Sequence, residues 1–145
     1  MKKCYLDTNI LIAHKIEESP HFSISTTLIQ KMIEEEAYLY ISPLTIDEFL
    51  HPMKYFLGLK YTKVYLHLKK AVKDIISFPN LSLVNPPAEL KSQMKVINFM
   101  ERFKLRPRDA FHLLIMQTNG IEYFATLDTD FKTVFEKKVI QHFEI

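Results

Sequence analysis

Cys4-Tyr5-Leu6-Asp7-Thr8-Asn9-Ile10-Leu11-Ile12-Ala13 reads as a short buried strand that turns directly into a helix. Cys4 to Leu6 is apolar, Asp7, Thr8 and Asn9 are residues that cap helices, and an apolar run follows. The same grammar recurs downstream. Tyr38 to Ile41 is a compact, β-favouring run, and Ser42-Pro43 places a cap and an N1 proline ahead of Leu44, Ile46, Phe49 and Leu50. Ile121 to Ala125 reads as a strand, Thr126 to Phe131 as a turn into a short helix, and Val139 to Phe143 as a last strand.

Helical patterns fill the intervals. Ser19-Pro20 predicts a helix start, with Phe22, Leu28, Ile29, Met32 and Ile33 on the buried side and an end near Glu36. From Tyr61 to Ile76 the apolar residues keep a helical period, with lysines on a solvated face. Leu81 to Val84, bounded by prolines, is a brief strand or an extended connection. A helix through Met94, Ile97, Met100 and Phe103 runs to Leu105, and Pro107 starts another that Asn119-Gly120 terminates. Strands separated by helices, with few hairpin signals, predict an α/β fold with a parallel sheet covered on both faces, a three-layer α/β/α arrangement.

With 145 residues, 48% hydrophobic and only two glycines, the chain is expected to form a single domain over residues 1–145 with no linker and no repeat. Charge interrupts its apolar runs well before the roughly 20 residues of a membrane span, and the start has no signal-peptide core, so a soluble, cytoplasmic protein is expected, with no membrane partner. The lone Cys4 reads as a core thiol, unable to form an internal disulfide or, without Cys or His neighbours at metal spacing, a zinc site. Two glycines exclude a phosphate-cradling loop, and no Ser-His-Asp arrangement is present. A net charge of +2 permits nucleic-acid binding without identifying it.

The acidic residues carry more information. Asp7 and Asp128 each follow a strand, so in a parallel sheet both lie on its carboxyl edge, where ligands of such folds bind. Glu48 lies one to two turns into the helix entered from the second strand, and Asp109 in the first turn after Pro107. All four can converge. Singly, each has an ordinary explanation: N-capping for Asp7 and Asp109, a surface helix for Glu48, a turn for Asp128. Together they would repel and raise one another's pKa unless a cation neutralised them. Hard oxygen donors without Cys or paired His favour Mg²⁺ or Mn²⁺, ions that complete their shells with water and phosphate oxygens, so a phosphodiester is the expected substrate.

These stretches resemble the PIN domain family, including its VapC-type toxin ribonucleases. Tyr5-Leu6-Asp7-Thr8-Asn9-Ile10-Leu11-Ile12 is similar to the family's opening strand and Asp-Thr/Ser-Asn turn, and Ser42-Pro43-Leu44-Thr45-Ile46-Asp47-Glu48-Phe49 to its glutamate-bearing helix. Arg108-Asp109-Ala110-Phe111-His112-Leu113 is similar to its aspartate-alanine-x-histidine segment, and Ala125-Thr126-Leu127-Asp128-Thr129-Asp130-Phe131 to its closing motif. Any one is unspecific; the four in order span nearly the whole chain. The middle, about residues 52 to 100, matches no subgroup.

The resemblance implies a five-stranded parallel sheet and an endoribonuclease with Asp7, Glu48, Asp109 and Asp128 as catalytic, metal-binding acids. Asp130 enters as a further metal acid, Thr126 as a supporting hydroxyl and Asn9 as an orienter of Asp7. It admits a toxin silenced by a small antitoxin protein, a free-standing RNA-processing nuclease, or an inactive scaffold; a flap-cleaving DNA nuclease is disfavoured because no helical arch is evident. Lys104, Arg106 and Arg108, just before the Asp109 helix, are candidates to grip RNA phosphates, Arg108 foremost, against the alternative of ordinary solvated charge. His112, between Phe111 and Leu113, reads as a hydrogen-bonded core residue, and His51 as a weaker candidate for the site. Tyr55, Tyr61 and Tyr65 could stack on bases, but their helical spacing favours packing or a dimer surface. The apolar helices fit a homodimer.

Overall fold

A computed structural model describes residues 1–145. In chain order its elements are β1 (Lys3–Leu6), α1 (Thr8–Lys15), α2 (Phe22–Glu34), β2 (Tyr38–Ile41), α3 (Pro43–Lys60), α4 (Val64–Ile76), β3 (Leu81–Leu83), α5 (Leu90–Phe103), α6 (Pro107–Thr118), β4 (Tyr123–Ala125), α7 (Lys132–Glu136) and β5 (Gln141–His142). The five strands are all parallel in the order β3-β2-β1-β4-β5, with Cys4 opposite Leu39 on one side and Tyr123 on the other. The α/β fold and the five-stranded parallel sheet are as expected.

The pleat sorts the core into two layers. Cys4, Leu6, Leu39, Ile41 and Ala125 face Leu11, Met32, Phe49 and Ile75 of α1 to α4. Tyr5 and Phe124, their alternate neighbours, face Phe103, Leu113, Phe131 and Val134 on the α5 to α7 side. β1, buried on both faces, reads as a continuous apolar run, whereas β2 buries Leu39 and Ile41 on one face and was visible through its β-favouring residues. Cys4 is a buried free thiol, and burial pushes its pKa up.

Several expectations need correction. The second helix begins at Phe22, not at Ser19-Pro20, because the Ser19 carbonyl and hydroxyl accept from the Phe22 and His21 N–H groups and close a separate turn. The Tyr61 helix begins at Val64, after a break at the end of α3. The last strand is only Gln141–His142, and the strand expected from Ile121 begins at Tyr123. Tyr55, Tyr61 and Tyr65 do not pack into the core: they are 71%, 44% and 63% exposed. The buried stripe of α3 and α4 falls on Met53, Leu57, Ala71 and Ile75 instead, and Tyr61 stacks on His67.

Ser42 caps α3 in a capping box with Thr45, so the helix that carries Glu48 is fixed at the sheet edge by both side chains. That helix continues through Pro52, which has no N–H to donate to the carbonyl of Glu48 four residues earlier. No helix is long and apolar enough to cross a membrane.

Candidate active site

The chain passes from β1 to β2 on one side, and β4 inserts on the other side of β1, so the strand order reverses between β1 and β4. Ligands of open parallel sheets bind at that position, outside the carboxyl ends of the strands. An open cleft of about 570 Å³ lies there, lined by Asp7, Asn9, Glu48, Arg108, Asp109 and Asp128 among others. Asp7 leaves β1, its N–H bonded to the Ala125 carbonyl at the end of β4 (3.0 Å). Asp128 lies in the turn after β4, Glu48 in the second turn of α3, and Asp109 in the first turn of α6.

Asp7 is held from two sides. The Thr8 N–H donates to its Oδ1 (2.8 Å) and the Thr126 hydroxyl to its Oδ2 (2.6 Å). Thr126 Oγ1 also accepts from the Asn9 side-chain amide (3.3 Å) and the Asp128 N–H (3.0 Å), while Asn9 Oδ1 accepts from the Leu127 N–H (3.2 Å). Asn9 therefore reaches Asp7 through Thr126, not directly. Burial raises the Asp7 pKa, against the opposing hydrogen bond from Thr126.

Glu48 is held by His112, whose Nε2 contacts its Oε1, while Nδ1 lies 2.7 Å from the Tyr5 hydroxyl. His112 is 2% exposed, as a core histidine should be, yet one of its ring nitrogens serves the cleft. Burial pushes the Tyr5 phenol up to about 12, so its proton stays in place at neutral pH.

The third group differs. Carboxylate oxygens of Asp109, Asp128 and Asp130 lie within 4.8 Å of one another. Asp109 is pushed up to about 6, by burial first and then by the charges of Asp128, Asp7 and Asp130. Asp130 is exposed, and its N–H donates to Asp128 Oδ1 (3.0 Å). This all-oxygen set suits a hard divalent cation, whose charge would offset the repulsion.

Arg108 lines the cleft, and so does His51, which the sequence placed low. Lys104 and Arg106 do not line it. The buried Phe103 and Leu105 anchor the connection into α6, Lys104 takes a left-handed conformation after α5 (φ 55°), and both basic residues are exposed. Sequence reasoning missed Tyr5 as a polar residue and His112 as the partner of Glu48. The available signals were His112 one turn after Asp109, on the buried side of its helix, and the Ser42/Thr45 capping box beside a strand tyrosine.

The PIN domain model matches residues 4–137 of this chain. No curated protein sequence matches it. Among solved structures, the chain resembles VapBC2 from Rickettsia felis bound to a DNA fragment from its promoter, at 14% identity and a TM-score of 0.67, over 98% of this chain and 99% of that one. It also resembles VapC20 from Mycobacterium tuberculosis, described as a sarcin-ricin loop cleaving toxin, at 12% identity and a TM-score of 0.62, over 90% and 94%. A toxin–antitoxin complex from Klebsiella pneumoniae is similar at 19% identity and a TM-score of 0.58, over 88% and 89%. At such identities the likeness concerns the fold.

Proposed function

This chain belongs to the PIN domain family, and from that premise we propose that it is a divalent-metal-dependent endoribonuclease hydrolysing RNA phosphodiester bonds in the cleft of Asp7, Glu48, Asp109 and Asp128. The observation that carries the reading is the approach of the Asp109, Asp128 and Asp130 carboxylates to within 4.8 Å, beside two further acids, at the point where the strand order reverses. A fold alone would not suffice, since one fold hosts many functions.

Asp7, Glu48, Asp109 and Asp128 would hold Mg²⁺ or Mn²⁺, with Asp130 at the exposed margin. When bound, the cation supplies the positive charge that activates water and offsets charge on the phosphate. The chain's own residues do the rest. Thr126 and Thr8 keep both Asp7 oxygens fixed, His112 fixes Glu48, and Arg108 at the cleft can grip a backbone phosphate. Lys104 and Arg106 would contribute only to a longer RNA that reaches beyond the cleft. The products would carry a 5′-phosphate and a 3′-hydroxyl.

In its finer form the reading is the toxin of a toxin–antitoxin pair, silenced by a small antitoxin protein. Its support is likeness in fold to VapBC2, to a sarcin-ricin loop cleaving toxin and to a toxin–antitoxin complex. The test is cleavage of a mixed RNA pool by purified protein with Mn²⁺, Mg²⁺ or EDTA. Cleavage that needs the metal and leaves 5′-phosphates is expected. An RNA pool untouched by protein that also binds no Mn²⁺ would overturn the proposal.

A further inference from the structure

His112 has one partner on each ring nitrogen: the Tyr5 hydroxyl on Nδ1 (2.7 Å) and Glu48 Oε1 on Nε2. The Tyr5 hydroxyl lies 2.6 Å from Ser42 Oγ and 3.1 Å from Thr45 Oγ1, the pair that closes the capping box of α3. The first turn of α3 is thus joined through β1 and α6 to its own second turn, where Glu48 stands. Of the buried side-chain polar atoms, only Ser25 Oγ lacks a partner, so this network is complete.

Proton accounting gives the network a direction. An ionised carboxylate only accepts, so Nε2 must carry a hydrogen. In a neutral ring Nδ1 is then a bare acceptor, which the Tyr5 O–H fills. The Tyr5 oxygen in turn can accept from the Ser42 and Thr45 hydroxyls. With Glu48 as acceptor and a neutral ring, every donor in the chain would point towards Glu48, an arrangement in which successive bonds reinforce one another.

We propose that His112, locked in its Nε2–H tautomer by Tyr5, is the positioning residue for Glu48, tying Oε1 to the buried side and leaving Oε2 to face the cleft. What the cleft does rests on the proposed function; the tether itself does not. A histidine serving only the core would fill space and satisfy its nitrogens without governing the carboxylate. The Glu48 side chain is 19% exposed against 2% for His112, so the pair sits at the boundary between core and cleft, where a tether can act on a ligand. Buried partners that orient ligand groups typically alter metal affinity by about 10- to 100-fold.

The test has two arms. In metal-free protein, ¹⁵N spectra of the imidazole are expected to show the Nε2–H tautomer, with the signal shifted by Glu48→Ala and mixed with the other tautomer in Tyr5→Phe. In Mn²⁺ titrations, His112→Phe, which keeps a ring but no donor, is expected to weaken binding roughly 10- to 100-fold, whereas His112→Gln, which keeps an N–H near the Nε2 position, recovers most of the loss. An Nδ1–H tautomer in the wild type would overturn the proposal, as would His112→Gln binding as weakly as His112→Phe, or both binding like the wild type. Should His112→Phe not fold, an imidazole spectrum unchanged by Tyr5→Phe would overturn it. If the wild type binds no Mn²⁺, the metal-dependent function fails, and the spectra still decide the tether.

Discussion

The two halves of the acidic cleft are built on opposite principles. Asp7 and Glu48 emerge from the sheet and the start of α3, and each is gripped by donors of the protein: Thr8 and Thr126 for one, His112 for the other. Asp109, Asp128 and Asp130 stand on a helix start and a turn, crowded within 4.8 Å, and Asp109 is perturbed chiefly by burial and by its acidic neighbours. In the first half both acids are fixed by donors; in the second Asp128 accepts only the Asp130 N–H, and burial and crowding leave a cost that a cation would relieve. The difference teaches how the proposed metal site would be rigid yet dependent on its metal. The fixed acids would set position, and the crowded ones would make binding favourable.

The largest expected effect strikes both halves alike. Asp7→Asn and Asp109→Asn should each lower metal-dependent RNA cleavage by about 100-fold or more, the consequence of losing several kcal/mol of charge stabilisation at 1.36 kcal/mol per tenfold. Full activity in either variant, measured on the same RNA pool, would remove that acid from the site.

Thr126→Val probes the gripped half alone. Thermal or denaturant unfolding should show a loss of about 1–3 kcal/mol, because Asp7 loses its donor and the Asp128 N–H its acceptor. Mn²⁺ affinity should drop by roughly 10- to 100-fold. A variant unchanged in both would mean that the hydroxyl does not organise the cleft.

The crowded half is exposed by pH. Asp109 holds its proton up to about 6 in the folded protein, against an ordinary 3.8. Between those values the native state binds more protons than the unfolded chain, so this group's contribution to stability falls as pH rises from about 4 to about 6. Metal-free Asp109→Asn should therefore melt higher than the wild type at pH 7, the two melting curves converging near pH 4. Saturating Mn²⁺ should close the gap from the wild-type side. A melting difference independent of pH would refute the repulsion.

The smallest effect separates charge in the cleft from charge outside it. With a short RNA confined to the cleft, Arg108→Ala should weaken binding and reduce the salt dependence by about one unit of slope, whereas Lys104→Ala should leave the slope unchanged. Equal slopes would erase the distinction between the lining arginine and the exposed lysine.

How legible each half was follows from the same contrast. The acids were visible because each sits beside a strand end or a helix start that local sequence marks: Leu6 before Asp7, Ser42-Pro43 before Glu48, Pro107 before Asp109, Ala125 before Asp128. Parallel topology then put them on one edge. What holds them was harder to read. Tyr5 and His112 are 107 positions apart, and an apolar strand tyrosine or a histidine flanked by Phe and Leu looks like packing until α6 is laid against β1. The start of α2 was misread because Ser19-Pro20 suits a tight turn as well as a helix cap. Of the two readings of the surface tyrosines, packing or a dimer surface, only core packing is corrected, because helical periodicity gives a stripe without saying which stripe faces inward.

The most direct test of the cleft as a divalent-metal site is a calorimetric titration of metal-free protein with Mn²⁺ at pH 6, repeated in buffers of different ionisation enthalpy. Binding accompanied by proton release, with the release reduced in Asp109→Asn, is the expected result, since Asp109, pushed up to about 6, must give up its proton to a cation. No binding by the wild type, or binding with no proton release that Asp109→Asn leaves unchanged, would contradict it.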